Sequence, residues 1–209
     1  MDRGKRRVSA IVLAAGGSTR MGRPKLALPF SGGSVLSAVL DPLLRTPLAS
    51  IVVVLGNAAD EVRGSVSADD ARLRFVVNPS WAEGMASSLG VGLREALDSE
   101  AVLVALGDKV GMTRPLIERL LAALERGPLV VPELAGRGSH PVLFSWRFYP
   151  ELLALRGDVG ARDVVRRHRD QVVFVPGEPL HDVDDAADYE RLLAGRPPRD
   201  DDGMVLAEK

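Results

Sequence analysis

Cysteine is absent from the 209 residues, which excludes disulfides, thiolate nucleophiles and cysteine-bound metal centres. Aromatic residues are sparse at 4%, and the three histidines, His140, His168 and His181, lack the H-x-x-x-H spacing of a zinc site. No Ser-His-Asp arrangement follows from their spacing, so triad hydrolysis is not expected. An excess of one charge is missing too. The net charge of −1 argues against a general polyanion surface, so nucleic acid is not an expected partner and any phosphate recognition must be local. No apolar run is long enough to cross a bilayer, so no membrane partner is expected either. The basic start followed by Val8 to Ala15 leads straight into a glycine pair and Arg20, which reads as a strand rather than a leader. A cytoplasmic location is the default expectation. Neither a Walker A GK[ST] nor a G-x-G-x-x-G fingerprint is present.

What is present is the composition of an ordinary globule, 46% hydrophobic and 26% charged. The length suits one α/β domain over residues 1–195, and the remaining 196–209, with PPRDDDG, is expected to be a mobile tail. Apolar-rich runs at Val8 to Ala15 (charge-free), Ser50 to Leu55, Leu73 to Val77, Val102 to Leu106, Leu129 to Pro132, Pro141 to Phe144 and Val172 to Val175 read as strands. Helices are expected between them. One starts at a Ser34 cap after a Pro29 to Gly33 turn; others cover Asp60 to Ser67, Ser87 to Leu97 (weakened by Gly90 and Gly92), Val159 to His168 and Ala186 to Leu193, and another follows a Thr113 cap. This alternation predicts a three-layer αβα architecture around a mostly parallel sheet.

Three stretches stand where such a sheet collects ligands, after the carboxyl ends of strands. The first is Val8 to Lys25, VSAIVLAAGGSTRMGRPK. Gly16 and Gly17 break the apolar run, allow positive φ and open backbone N–H groups from Ala15 to Ser18 to a ligand. Ser18, Thr19, Arg20, Arg23 and Lys25 add hydroxyls and cations, a set suited to a triphosphate. The second is Gly107-Asp108, whose carboxylate is either a Mg²⁺ ligand beside phosphates or a turn cap. The third is His181-Asp182-Val183-Asp184, where only one of the two carboxylates is expected to meet a metal. The Asp182 to Asp188 cluster also fits a solvated helix start. A further candidate is NPSWAEGMASS (78–88), in which Ser87 and Ser88 open a helix, either as caps or as a phosphate cradle.

LAAGGSTRMGRPK resembles the signature L-A-A/G-G-x-S-x-R-M-G-x-x-K of the MobA-like NTP transferases, which include the molybdopterin guanylyl- and cytidylyltransferases. LGDKVGM and HDVDDAADYERLL are similar to that family's G-D-Q-P and D-I-D-T-P-E-D-Y segments, while NPSWAEGMASSL, GSHPVLF and RGDVGARDVVRRH are similar to its cytidylyltransferase-like branch. The likeness runs from about Val8 to Leu193. It implies a Rossmann-like nucleotide-diphospho-sugar transferase (GT-A-like) fold and Mg²⁺-dependent transfer of a nucleotidyl group from an NTP, CTP favoured over GTP. The implied acceptor is a pterin-type phosphate, the molybdenum cofactor, with a molybdoenzyme as a further partner. It implies nucleotide contacts at Leu13, Ala14, Ala15, Gly16, Gly17, Ser18, Arg20 and Lys25, with Arg20, Lys25 and Asp108 catalytic. Metal ligation falls to Asp108 and Asp184, with Asp182 in reserve, and the acceptor side to Met85, Ser87, Ser88, His140, Asp158 and Arg162. The resemblance also covers relatives described as NAD(P)H-dependent oxidoreductases of the nicotine-blue type, accessory binders of molybdenum cofactor, and transferases of sugars or other metabolites. This chain departs from the pattern at Lys109 and Val110, which replace glutamine and proline. Lys109 is expected either to reach a phosphate or to pair with Asp108.

Overall fold

The computed structural model describes residues 6–196, so the expected tail, Arg196 apart, lies outside the described residues. β1 (Val8–Ala14) is buried along nearly its whole length, as a charge-free run with side chains on both faces of a sheet must be. The expected turn after the glycine bend is a tight hairpin of β2 (Pro29–Phe30) and β3 (Gly33–Ser34), with Ser31 and Gly32 left-handed at its tip. Ser34 then caps α1 (Val35–Leu44), its hydroxyl accepting from the Ser37 N–H. β4 (Ile51–Leu55), α2 (Ala59–Gly64), β5 (Leu73–Val77) and α3 (Met85–Arg94) follow. β6 (Ala101–Leu106) runs on into a two-residue strand, β7 (Lys109–Val110), and α4 (Arg114–Ala123) begins at the Thr113 cap with Pro115 in its first turn. The chain closes with β8 (Leu129–Leu134), β9 (Arg137–Gly138), β10 (Val142–Ser145), α5 (Tyr149–Ala154), α6 (Arg162–Arg167), β11 (Val172–Pro176), β12 (His181–Asp182) and α7 (Ala186–Leu193).

Among the described residues the main sheet has eight strands, seven in the order β11-β8-β10-β6-β1-β4-β5 and β9 beside β8. The pairings along that path are parallel except those of β10, which lies antiparallel between β6 and β8. Alternate residues of β1 serve opposite faces. Ala10 and Val12 join Leu36, Leu40, Ile117, Leu120 and Leu192, so α1, α4 and α7 cover one side. Ile11 joins Leu89, Leu93, Leu152 and Val164, so α3, α5 and α6 cover the other. The three-layer expectation holds.

Some local expectations shift. α6 starts at Arg162 rather than Val159, and α3 starts at Met85 rather than Ser87, on a Gly84 with φ 110°. α5 and the pairing of β7 with β12 were not signalled by periodicity. α3 survives its two glycines because Leu89 and Leu93 are fully buried. Each such side chain contributes about 1.5–3 kcal/mol, against about 1 kcal/mol lost per helical glycine.

The two glycines differ in what surrounds them. A Cβ at Gly92 would stand 2.5 Å from Ile11 Cγ2 and 2.8 Å from Val54 Cγ2, whereas at Gly90 it would meet only Arg94 Nη1 at 3.5 Å. Gly92→Ala is therefore expected to lower Tm by about 2–8 °C, overpacking outweighing the helix-propensity gain. Gly90→Ala should raise it by about 2–3 °C. Thermal unfolding of the two variants checks the contrast, and equal shifts would contradict the close approach of α3 to β1.

Candidate active site

Parallel pairing of β1 with β6 sets Leu13 beside Leu106. The Gly107 N–H donates to the Leu13 carbonyl at 2.9 Å, so the glycine bend and Asp108 leave the sheet side by side. This is the crevice at the carboxyl ends of parallel strands where ligands gather. Leu13, Ala14 and Ala15 lead from the end of β1 into the bend. A Cβ at Gly16 would meet nothing within 4 Å among the described residues, and Gly17 lies against the Trp81 ring. The left-handed residue of the bend is Ser18, with φ 49°, and not Gly16 or Gly17 as their type led one to expect. Ser18 also anchors the return of the loop. Its carbonyl accepts from the Met21 N–H at 3.0 Å and its hydroxyl from the Lys25 N–H at 3.2 Å. Asn57 Nδ2 ties down the Gly17 carbonyl from the end of β4.

Held in this way, Lys25 Nζ lies 2.7 Å from Asp108 Oδ2 and 3.0 Å from Asp184 Oδ1. Arg20 Nη1 is 3.6 Å from the other Asp184 oxygen. Burial alone would push the Lys25 ammonium down in pKa; Asp108 and then Asp184 outweigh it, and the pKa is raised. The lysine side chain is 12% exposed and that of Arg20 75%, so the two cations face the crevice differently, one embedded and one open to water.

The acidic segment divides by function. Asp184 faces Lys25, whereas Asp182 pairs with Lys109. Asp185 and Asp188 form a capping box at the start of α7, so the helix-start reading accounts for them and not for Asp184. Lys109 forms its ion pair with Asp182 rather than with Asp108. Among the described residues no group of three or more His, Asp or Glu side chains gathers as a metal centre. Two carboxylates converging on one ammonium are nevertheless a hard-oxygen donor pair that Mg²⁺ or Mn²⁺ accepts when phosphate oxygens and water complete the shell.

The acceptor-side candidates fall into two groups. Met85 and Asp158 come together where Gly84, with φ 110°, crosses the 157–160 turn. A Cβ there would stand 2.4 Å from the Gly157 carbonyl carbon, and the Ala86 N–H donates to the Gly157 carbonyl at 3.2 Å. His140 lies within electrostatic reach of Lys109, Arg162 and Asp108. The hydroxyls of Ser87 and Ser88 are a correction. Ser88 is buried and accepts from Asn78 Nδ2 at 3.0 Å; the Ser87 hydroxyl accepts from the same amide at 2.8 Å and faces the Ser80 and Gly84 carbonyls. Both serve an internal network, because Asn78, fully enclosed at the end of β5, needs partners for its amide. Asn57 was missed as framework of the site, whereas Asn78 and Trp81 belong to the NPSW stretch singled out for the acceptor side and serve as framework. A separate cavity of about 890 Å³, lined by Phe30, Asp41, Arg45, Val110 and His181 among others, contains none of the predicted site residues.

Comparison with known proteins bears on the family and the fold. Residues 10–172 match the MobA-like NTP transferase domain. The chain is 32% identical to nicotine blue oxidoreductase from Paenarthrobacter nicotinovorans, over 77% of this chain and 82% of that protein. It is 26% identical to molybdenum cofactor cytidylyltransferase from Escherichia coli (strain K12), over 66% of this chain and 70% of that protein. The crystal structure of Rv0371c from Mycobacterium tuberculosis H37Rv in complex with manganese is similar at TM-score 0.75 and 29% identity, covering 90% of this chain and 98% of that one.

His140 carries a pH signature. Burial first, then the Lys109 and Arg162 cations, push its pKa down to about 4, although a hydrogen bond with the Val104 backbone and the Asp108 charge oppose the shift. Between pH 6.5 and 4 the unfolded chain therefore binds a proton that the folded chain does not, and stability falls as pH falls through that window. Denaturant unfolding should show His140→Asn losing less stability than the wild type from pH 6.5 to 4. An identical pH slope in both proteins would contradict the enclosed, cation-flanked setting of this ring.

Proposed function

The chain belongs to the MobA-like NTP transferase family, and on that premise we propose that it transfers a nucleotidyl group from an NTP to a phosphate acceptor in the crevice between the glycine bend and Asp108. The observation that carries this reading is the Lys25 ammonium held between Asp108 and Asp184. In the reaction, an acceptor phosphate oxygen bonds to the α-phosphorus while the bond to the bridging oxygen breaks, and pyrophosphate leaves. That chemistry needs alignment and charge neutralisation more than a strong acid or base.

The roles follow from position. Backbone groups from Leu13 to Ser18 line the nucleotide side, Lys25 supplies an embedded positive charge for the triphosphate, and Arg20, at the open rim, screens charge as pyrophosphate departs. Asp108 and Asp184 would hold a divalent cation, Mg²⁺ or Mn²⁺ as in the Rv0371c complex, with Asp182 kept to Lys109. When bound, that ion neutralises and orients phosphate oxygens. His140, Arg162, Met85 and Asp158 bound the acceptor side. The fit of residues 1–195 to one such domain is part of the same reading. CTP as donor and a molybdenum-cofactor pterin as acceptor, with a molybdoenzyme downstream, are favoured by the likeness to the cytidylyltransferase of E. coli. The greater identity to nicotine blue oxidoreductase favours a second reading, NAD(P)H-dependent reduction on the same fold.

Pyrophosphate release against all four NTPs, with and without Mg²⁺ and a pterin phosphate acceptor, separates the two. Mg²⁺-dependent release with CTP is expected. Lys25→Ala should cut turnover by about 100-fold or more with its fold intact by circular dichroism, because one preorganised charge on a transferring phosphoryl group contributes about that much. Turnover that survives this change, or binding of NADPH with no Mg²⁺-dependent NTP binding, would overturn the transferase reading.

A further inference from the structure

The segment leaving β6 and the segment entering α7 meet in a ribbon only two residues long on each side: Lys109 opposite Asp182, and Val110 opposite His181. The two carboxylates on Lys25 flank this ribbon directly. Asp108 precedes Lys109, and Asp184 follows Asp182 by two residues. At the open end the Val183 N–H donates to the Asp108 carbonyl at 3.1 Å. So short a pairing, between residues 73 positions apart in sequence, cannot hold its register by backbone bonds alone.

The side chains provide what the backbone lacks. Lys109 Nζ pairs with Asp182 Oδ2 across the ribbon, with side-chain exposures of 10% and 36%. A slip of one residue would turn Lys109 toward the opposite face, where Val110 and His181 line the separate cavity, and would break the pair. An opposite-charge pair set directly across two strands favours the register in which it forms, so the pair disfavours a slipped one. We infer that the Lys109–Asp182 ion pair is a positioning device, holding the two segments in the one register that brings Asp108 and Asp184 onto the same cation. Its consequence for catalysis rests on the reading of that cation site given above; its effect on the ribbon does not. Lys109 stands where the resembling family has glutamine, so this ionic weld belongs to this chain's own departure from the pattern.

A purely electrostatic role for Lys109 makes the opposite forecast for metal affinity. Removing a positive charge one residue from a metal carboxylate would tighten cation binding, whereas losing the register would weaken it. The test uses the full chain and its Lys109→Met, Asp182→Asn and Lys109→Arg variants. Amide exchange at Val183, followed by NMR without metal, is expected to quicken about fivefold or more in Lys109→Met. It should quicken by a similar factor in Asp182→Asn, which removes the carboxylate of the pair. Lys109→Arg, which keeps the pair, should stay within about twofold, and β1 amides should be unchanged in all three. In Mn²⁺ titrations followed by electron paramagnetic resonance, Lys109→Met should bind about fivefold more weakly than wild type. Tighter Mn²⁺ binding by Lys109→Met, or Val183 exchange within twofold of wild type in both disrupted variants, would overturn the inference. A wild-type chain that binds no Mn²⁺, with or without nucleotide, would instead contradict the proposed function, and the exchange rates would still decide the positioning role.

Discussion

A single ammonium shared by two carboxylates governs the rest of this molecule. Lys25 reaches Asp108 from the loop after β1, and Asp184 reaches Lys25 from the segment before α7. Three distant stretches of chain thus converge on one buried charge. Taken alone the lysine would be poorly placed, because an ammonium largely removed from water tends to lose its proton. The two carboxylates hold it in the charged form. Because the Lys25 pKa is raised, its stabilising contribution is fully present below the ordinary lysine value and is lost only as pH climbs through the higher folded value. The Lys25 ammonium is charged throughout the neutral range.

The fold explains why these stretches meet. β1 and β6 are parallel neighbours, so their carboxyl ends deliver the glycine bend and Asp108 to one edge of the sheet. The two-residue ribbon between β7 and β12 then brings the late acidic segment back over that edge, and the capping box of α7 leaves Asp184 outside the helix, facing the lysine. Asn78 and its two serine partners brace the end of β5, where Trp81 packs against Gly17. The crevice is therefore walled by framework contacts rather than by loops alone, which suits a site that acts by alignment.

Much of this was legible in the residues. The charge-free run of β1, the Ser34 and Thr113 caps, and a carboxylate directly after the strand VLVAL are local signals, and the chain obeys them. What escaped was non-local. β7 and β12 are too short to show any period, so neither the ribbon nor the partner of Lys109 can be read from spacing. The Ser87 and Ser88 hydroxyls look free in a linear reading because the amide that occupies them sits nine and ten residues upstream, at the end of another element. Ser18 took the left-handed conformation that its glycine neighbours were expected to take, since the loop is fixed by what the Ser18 carbonyl and hydroxyl bind. Substrate identity is a further step from fold, as relatives bearing the names of an oxidoreductase and a cytidylyltransferase share this framework.

If Asp108 and Asp184 form one cation site, then the Lys25 ammonium and a divalent metal ion compete for the same oxygens. The most direct measurement is Mn²⁺ affinity without nucleotide in wild type and in Lys25→Met, which keeps the aliphatic stem and deletes the charge. The account predicts tighter Mn²⁺ binding in Lys25→Met, by about tenfold or more, abolished again when Asp108→Asn is added. Equal or weaker Mn²⁺ binding in Lys25→Met would contradict it.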